Sequence, residues 1–281
     1  SSAMVTNTIS LTAHLTTVTT SRVLLREGHY GDAKRLQMTY LIGEKTLTYY
    51  PRVNRYTRQV AFRGFSDYDQ PDGSKTWGEG WNFNISEHAG THIDAPIHFG
   101  KNGTGNRWYI EDIPFERFIG PAVVVDVSDK ADIDTNVDYG ATIEDIQEFE
   151  RQFGAIPSGA ILLIYTGWGR YWGDPLKYVG TDTRDVKLTH FPALSPEAAQ
   201  WIADDGRIVG VGVDTVSCDA GSRRDVAAHV NLFEKNIYCL ENVANLEQLP
   251  QKGATIYVMP MPIKGGSGAP SRVYATWDDG Q

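Results

Sequence analysis

An α/β fold, a compact domain built on a mixed sheet, is what the sequence predicts. Three observations predict it. Short runs dense in Val, Ile, Leu and Ala recur at 122–127, 160–165 and 208–213, each with the length and composition of a buried strand. Segments with helical spacing fall between and after them. The alternation of strand and helix continues from residue 120 to residue 265, the pattern of a sheet with helices packed on it.

Residues 1–35 read as an amino-terminal arm with a helical tendency around Arg22–Leu36. Residues 36–281 read as a single domain, since no repeat, low-complexity tract or Pro- and Ser-rich linker divides them. Met38–Tyr50 alternates as strands do and stops at Pro51. Arg58–Phe65 and Asn82–Glu87 are expected as strands, with turn chemistry at Asp69–Lys75 between them. These early strands add a second sheet or a barrel-like layer. Ala122–Val127 is a buried strand. Ile143, Ile146, Phe149 and Phe153 recur at helical spacing, so Thr142–Phe153 is a helix, with Thr142 as its cap and Asp145 three residues on. Ala160–Tyr165 is a strand, Ser195–Asp204 a helix opened by Ser-Pro-Glu, and Ile208–Val213 a strand. Val226–Lys235 is a helix, Asn236–Leu240 a strand, Asn242–Leu249 a short helix and Thr255–Ile263 a strand.

Composition narrows the partners. The 281 residues carry a formal net charge of −9, which disfavours nucleic acid. No apolar run approaches the ~20 residues of a membrane helix, so a small molecule is the expected partner. Two cysteines, Cys218 and Cys239, are too few for a disulfide framework and read as buried thiols. Residues 5–26 are rich in Thr, free of acids and carry Arg22 and Arg26, which resembles a transit peptide without fixing a compartment.

The informative segment is His88-Ala-Gly-Thr-His92-Ile-Asp94-Ala-Pro-Ile-His98. Three of the chain's seven histidines and an aspartate share these eleven residues, and imidazole and carboxylate are the usual ligands of zinc or manganese. Gly90, the β-branched Thr91 and Ile93, and Pro96 argue against a helix. In an extended chain, side chains at even offsets point the same way, so positions 88, 92, 94 and 98 would converge on one pocket. A second patch, Ala228-His229 with Glu241 twelve residues on, spans a helix and then a strand, which lets both ends return to that pocket.

Together these blocks resemble the cyclase family of metal-dependent hydrolases, which includes bacterial kynurenine formamidases and isatin hydrolase. The family fingerprint His-x-Gly-Thr-His-x-Asp-x-Pro-x-His is matched at every fixed position by residues 88–98. The likeness continues through Gly212-Val-Asp214-Thr-x-Ser217-x-Asp219, Ala228-His229, Glu241-Asn-Val-Ala-Asn245-Leu, Pro262-Ile-Lys264 and Gly268-Ala-Pro270-Ser-Arg272, and so covers residues 36–276. The resemblance implies a swivelling β/β/α fold, assembly as a homodimer or homotetramer, and two divalent ions per chain, zinc first and manganese next. It implies that His88, His92 and Asp94 hold one ion. Asp94 would bridge to a second ion held by His229, Glu241 would reach both, and His98 would carry the proton.

Departures from the family pattern bear on substrate. Kynurenine formamidases place an aromatic residue before Pro-Gly-Asp, where this chain has Tyr49-Tyr50-Pro51-Arg52-Val53. Tyr50, with Trp81 upstream of the histidines, is the expected substrate contact. Trp77, Phe83, Trp108, Tyr109, Trp168, Tyr171 and Trp172 either shape that pocket or pack the core. Arg223 and Arg224 either meet a substrate carboxylate or stay solvated. Isatin hydrolase lacks a carboxylate at the Glu241 position and is similar in using one metal, so Glu241 favours the two-metal, formamidase-like branch. The implied reaction is hydrolysis of an aryl formamide such as N-formylkynurenine. A cyclic amide such as isatin, a polyketide-type cyclisation or dehydration, and a catalytically silent metal-binding protein are the alternatives.

Overall fold

The computed structural model describes residues 33–46, 48, 53–103 and 105–278. The strands are β1 (Ala33–Gln37), β2 (Thr57–Asp69), β3 (Lys75–Asn84), β4 (His92–Asp94), β5 (Ile119–Asp126), β6 (Gly140–Ala141), β7 (Ala160–Tyr165), β8 (Ala193–Leu194), β9 (Ile208–Val213), β10 (Tyr238–Glu241), β11 (Thr255–Pro260) and β12 (Gly268–Asp278). The α-helices are α1 (Ile143–Phe153), α2 (Pro175–Tyr178), α3 (Pro196–Asp205) and α4 (Ala227–Phe233).

The apolar runs lie side by side as predicted: β5, β7, β9 and β10 form a parallel group. Burial on both faces accounts for their unbroken apolar composition. Val123, Val125, Leu162 and Ile164 pack on one side with Ile146 and Phe149 of α1, Ala198 of α3 and Leu232 of α4. Ala122, Val124, Ile161 and Leu163 face a second cluster with Tyr238, Leu240, Ile256 and Val273. Helix α1 starts at the predicted capping box: Thr142 Oγ1 accepts from Asp145 N–H, and Asp145 Oδ2 accepts from Thr142 N–H.

Strand β12 closes the sheet. Its start, Gly268–Pro270, pairs with β4, and its middle, Ser271–Thr276, pairs with β11. Because β4 also pairs with β10, the main sheet returns on itself as a barrel-like layer around the second cluster. Within the main sheet, β1 alone lies outside this circuit, antiparallel to the end of β12. β2 and β3 form a separate hairpin with exposed Val60, Phe65, Trp77 and Phe83.

Several boundaries differ from expectation. The first described strand ends at Gln37, before the predicted Met38–Tyr50, because Ala33–Gln37 supplies the register with β12. Beyond it Thr39 makes a single bridge to Val243, and the chain turns where Thr46 N–H donates to Gly43 O. The same pairing takes Ala33–Leu36 out of the expected helix at 22–36, whose remainder lies outside the described residues. The predicted Asn82–Glu87 strand shifts back to Lys75–Asn84, and Glu87 begins a turn. The predicted Asn242–Leu249 helix is reduced to one 3-10 turn at Leu246–Gln248. Asn242 and Asn245 hold left-handed φ of 55° and 62°, which no α-helix accommodates. Val243, Ala244, Leu246 and Leu249 are buried all the same, so the apolar pattern reports the core, not a helix.

Candidate metal centre

The 88–98 motif is not one extended run. Only His92–Asp94 is strand; His88 sits in a turn that ends at Gly90 (φ 66°), and Pro96–His98 is a 3-10 turn. Alternation therefore governs His92 and Asp94 alone, with Ile93 between them turned into the barrel cluster. His88 and His98 reach the same point from the flanking turns. Across the ladder, His92 faces Glu241 and Asp94 faces Cys239. Helix α4 brings His229 to these four side chains.

The turn is pinned from β10. Asn242 Nδ2 donates to Gly90 O at 2.8 Å, and Thr91 Oγ1 donates to Asn242 O at 2.6 Å. Gly268 makes room for His88, since a Cβ there would sit 2.5 Å from the imidazole Cε1 and 2.7 Å from Ile93 O.

Each imidazole is oriented by a partner behind it. His92 Nδ1 donates to Gly90 O at 2.9 Å, and His229 Nδ1 donates to Asp219 Oδ2 at 2.6 Å. His88 Nε2 lies 3.0 Å from Ser267 Oγ, which in turn donates to Glu87 Oε2 at 2.8 Å. His88 Nδ1, His92 Nε2 and His229 Nε2 are thereby left facing the carboxylates, the arrangement usual for metal-binding histidines. Asp219 also accepts from the N–H groups of Ala228 and His229, so one carboxylate fixes both the start of α4 and the ring it carries.

The carboxylates divide the centre in two. Asp94 Oδ1 is 2.6 Å from His88 Nδ1 and 3.1 Å from His92 Nε2, whereas Oδ2 is 3.4 Å from His229 Nε2. Glu241 divides the same way, with Oε2 3.3 Å from His92 and Oε1 3.0 Å from His229. Two donor groups result: His88, His92 and Asp94, and Asp94, His229 and Glu241. Buried His92 Nε2 has no hydrogen-bond partner of its own, and two buried carboxylates share three imidazoles. A divalent cation in each group fits this donor set.

Charge follows the geometry. Burial would lower His92, but the negative charges of Asp94 and Glu241, 3.1 Å and 3.3 Å from its Nε2, outweigh it and raise its pKa to about 10. His229 is likewise raised against its burial, by Asp219, Asp94 and Glu241. Asp94 and Glu241 are held low against their burial by the surrounding imidazoles. His98 behaves oppositely: burial first, then the neighbouring imidazoles, push it down to about 4. Its ring stacks on His88 at 4.0 Å, its Nε2 is 3.8 Å from Asp94 Oδ2, and its side chain is 24% exposed. His98 is thus held toward its neutral form on the partly exposed side of the cluster.

The structure brings His88, His92, Asp94, His98, His229 and Glu241 together. Tyr50 lies outside the described residues. Trp81 sits on the β2–β3 hairpin, where Arg58 covers its ring at 4.0 Å and its indole N–H donates to Glu79. Trp168 is fully buried, a core residue in a side cluster with Tyr178 and Phe191, and the half-buried Tyr171 and Trp172 pack against that cluster. Arg223 pairs with Asp225, and Arg224 donates to Gly221 O. Two contributors escape the sequence reading. Phe99 lies against His98 at 4.1 Å and His229 at 5.4 Å, and Ser267 backs His88. Adjacency to His98 is the one sequence signal for Phe99.

Known proteins resemble the chain over most of its length. The profile of the Cyclase family, described as "Putative cyclase", matches residues 9–220. The chain is similar to an isatin hydrolase of Roseibium aggregatum, 29% identical over 251 residues that span 87% of this chain and 92% of that protein. A kynurenine formamidase of Bacillus thuringiensis subsp. konkukian is 27% identical over 192 residues, 67% of this chain and 75% of its own. Among solved structures, isatin hydrolase A of Labrenzia aggregata bound to benzyl benzoate superposes with a TM-score of 0.74 and 31% identity, covering 88% of this chain and 95% of its own. Isatin hydrolase A of Ralstonia solanacearum gives 0.72 and 30%, covering 88% and 92%.

Proposed function

The chain belongs to the cyclase family of metal-dependent hydrolases, and on that premise we propose that it cleaves an aryl formamide of the N-formylkynurenine type, with water, to the aryl amine and formate. The observation that carries this reading is the double use of Asp94 and Glu241, each presenting one oxygen to each half of the centre. A bound divalent ion lowers the pKa of water and polarises a carbonyl. His88, His92 and Asp94 would hold one ion; Asp94, His229 and Glu241 would hold another.

The chain's own residues supply the rest. His98, neutral and partly exposed, takes the proton of the attacking water and returns it to the departing amine nitrogen. Asp219, Gly90 and Ser267 keep the imidazoles from rotating, so the carbonyl meets a frame already set. Zinc, with manganese next, suits an all-nitrogen-and-oxygen donor set.

Ring opening of a cyclic amide such as isatin is the second reading. Its support is coverage: the isatin hydrolase relative aligns over 87% of the chain, the formamidase over 67%. Metal-loaded protein assayed in parallel on N-formylkynurenine and isatin separates them. Formate release from the first is expected; isatin opening alone would replace the formamidase reading, and turnover of neither would remove both.

A further inference from the structure

We infer that Cys218, Cys239 and His229 form a second kind of metal site, one for thiophilic cations, that shares its imidazole with the hydrolytic centre. The two sulfurs and one imidazole nitrogen lie within 4.8 Å of one another, and all three residues are buried. Both cysteines are free. The thiols belong to the floor of the cage, not to a distant part of the core. Cys239 faces Asp94 across the β4–β10 ladder and lies two residues before Glu241, so Cys239 and Glu241 share a face of β10. The backbone N–H of Cys218 donates to Glu241 Oε1 at 3.0 Å.

His229 therefore stands between two donor sets of opposite character. Asp94 and Glu241 offer hard oxygens; Cys218 and Cys239 offer soft sulfur, which selects cadmium, mercury or cuprous ions over magnesium or manganese. Both thiols are buried, and a cation that binds them displaces their protons to form thiolates. A divalent thiophilic ion binding there forms two metal–sulfur bonds and one metal–nitrogen bond, releases the two thiol protons and the proton held at His229 Nε2 to solvent, and leaves a cluster with no net charge. Asp219 occupies His229 Nδ1, so only Nε2 is available, and one nitrogen serves one ion at a time. Thiophilic and hydrolytic occupancy of His229 thus exclude each other. His88 and His98 are the partly exposed side chains of the cage. The exclusion rests on His229 being a ligand in the proposed hydrolase; thiolate coordination does not.

Cadmium titration of the reduced, chelator-treated chain, followed by the ultraviolet thiolate-to-cadmium charge-transfer band, tests this. With only two cysteines in the sequence, the band has one possible source within a chain. It is expected to saturate at one cadmium per chain, to be absent with Mg²⁺ or Mn²⁺, and to weaken in both Cys218→Ala and Cys239→Ala. No band from the wild-type chain overturns the site without recourse to any variant, as does a band that either substitution leaves intact. In a chain preloaded with Mn²⁺, cadmium is expected to release manganese as the band grows; growth without release overturns the sharing of His229. Absence of hydrolysis would sink the proposed function and leave the thiolate band in place.

Discussion

Across the β4–β10 ladder, His92 Nε2 lies 3.3 Å from Glu241 Oε2, so a metal-type imidazole and carboxylate on two strands form a direct cross-strand pair. The other oxygen of Glu241 turns to His229. On the proposed two-ion reading, Glu241→Gln is expected to lower the bound metal from two ions per chain to one, counted by elemental analysis against protein. A count that stays at two would refute the shared role.

Asp219 acts one layer behind. Its Oδ2 holds His229 Nδ1 at 2.6 Å, and removing such a partner typically weakens metal binding by about 10–100-fold. Asp219→Asn should show that loss in competition with a chromogenic chelator. Unchanged affinity would mean that helix α4 alone positions the ring.

His98→Ala should leave metal content intact while turnover falls by about 10²–10⁴-fold, the usual worth of a positioned acid–base group. Near-normal turnover with full metal content would take the proton-carrying role away from His98.

Protonation ties metal uptake to pH. His92 is raised to about 10 in the metal-free chain, so at neutral pH an incoming ion displaces a proton. Affinity should rise with pH from neutrality toward about 10, with net proton release in calorimetry run in two buffers of different ionisation enthalpy. The metal-free fold responds with the opposite sign. A histidine raised above its unfolded value of 6.5 contributes stability that is complete below that value and is lost as pH rises through about 10. Uptake without proton release would contradict the shift.

Asp145 is a structural test distant from metal. Nearly buried, it accepts from Thr142 N–H, Tyr139 Oη and Lys130, and these contacts hold its pKa down against its burial. Asp145→Ala should cost about 1–3 kcal/mol in denaturant melts at neutral pH. A depressed carboxylate stabilises above its unfolded value near 3.8 and loses that contribution as pH falls through the folded value, so wild type and variant should converge in acid. Equal melts at neutral pH would show that Thr142 caps α1 unaided.

Much of this was legible in the residues, for identifiable reasons. β5, β7 and β9 are buried on both faces, and their apolar runs state it. The candidate ligands were legible as a group because metal chemistry admits few side chains, and the structure does bring them together. Their directions were misread: two turns, not one extended run, deliver His88 and His98, and the turn at Gly90 is held by Asn242, far away in sequence. Boundaries failed where long-range pairing decides, as in β1, whose register is set by a strand near the other end of the described chain. The barrel closure depends on β12 changing partners midway, which no local pattern records.

That closure bears on how ions come and go. Strand β4 is three residues long yet paired along both edges, to β10 and to β12, so His92 and Asp94 are riveted in place by neighbours that own other parts of the core. The cage is a standing jig, shaped by the sheet before any ion arrives. A cation entering it would meet a spacing that the sheet has already cut, and its preferred coordination geometry would decide the fit.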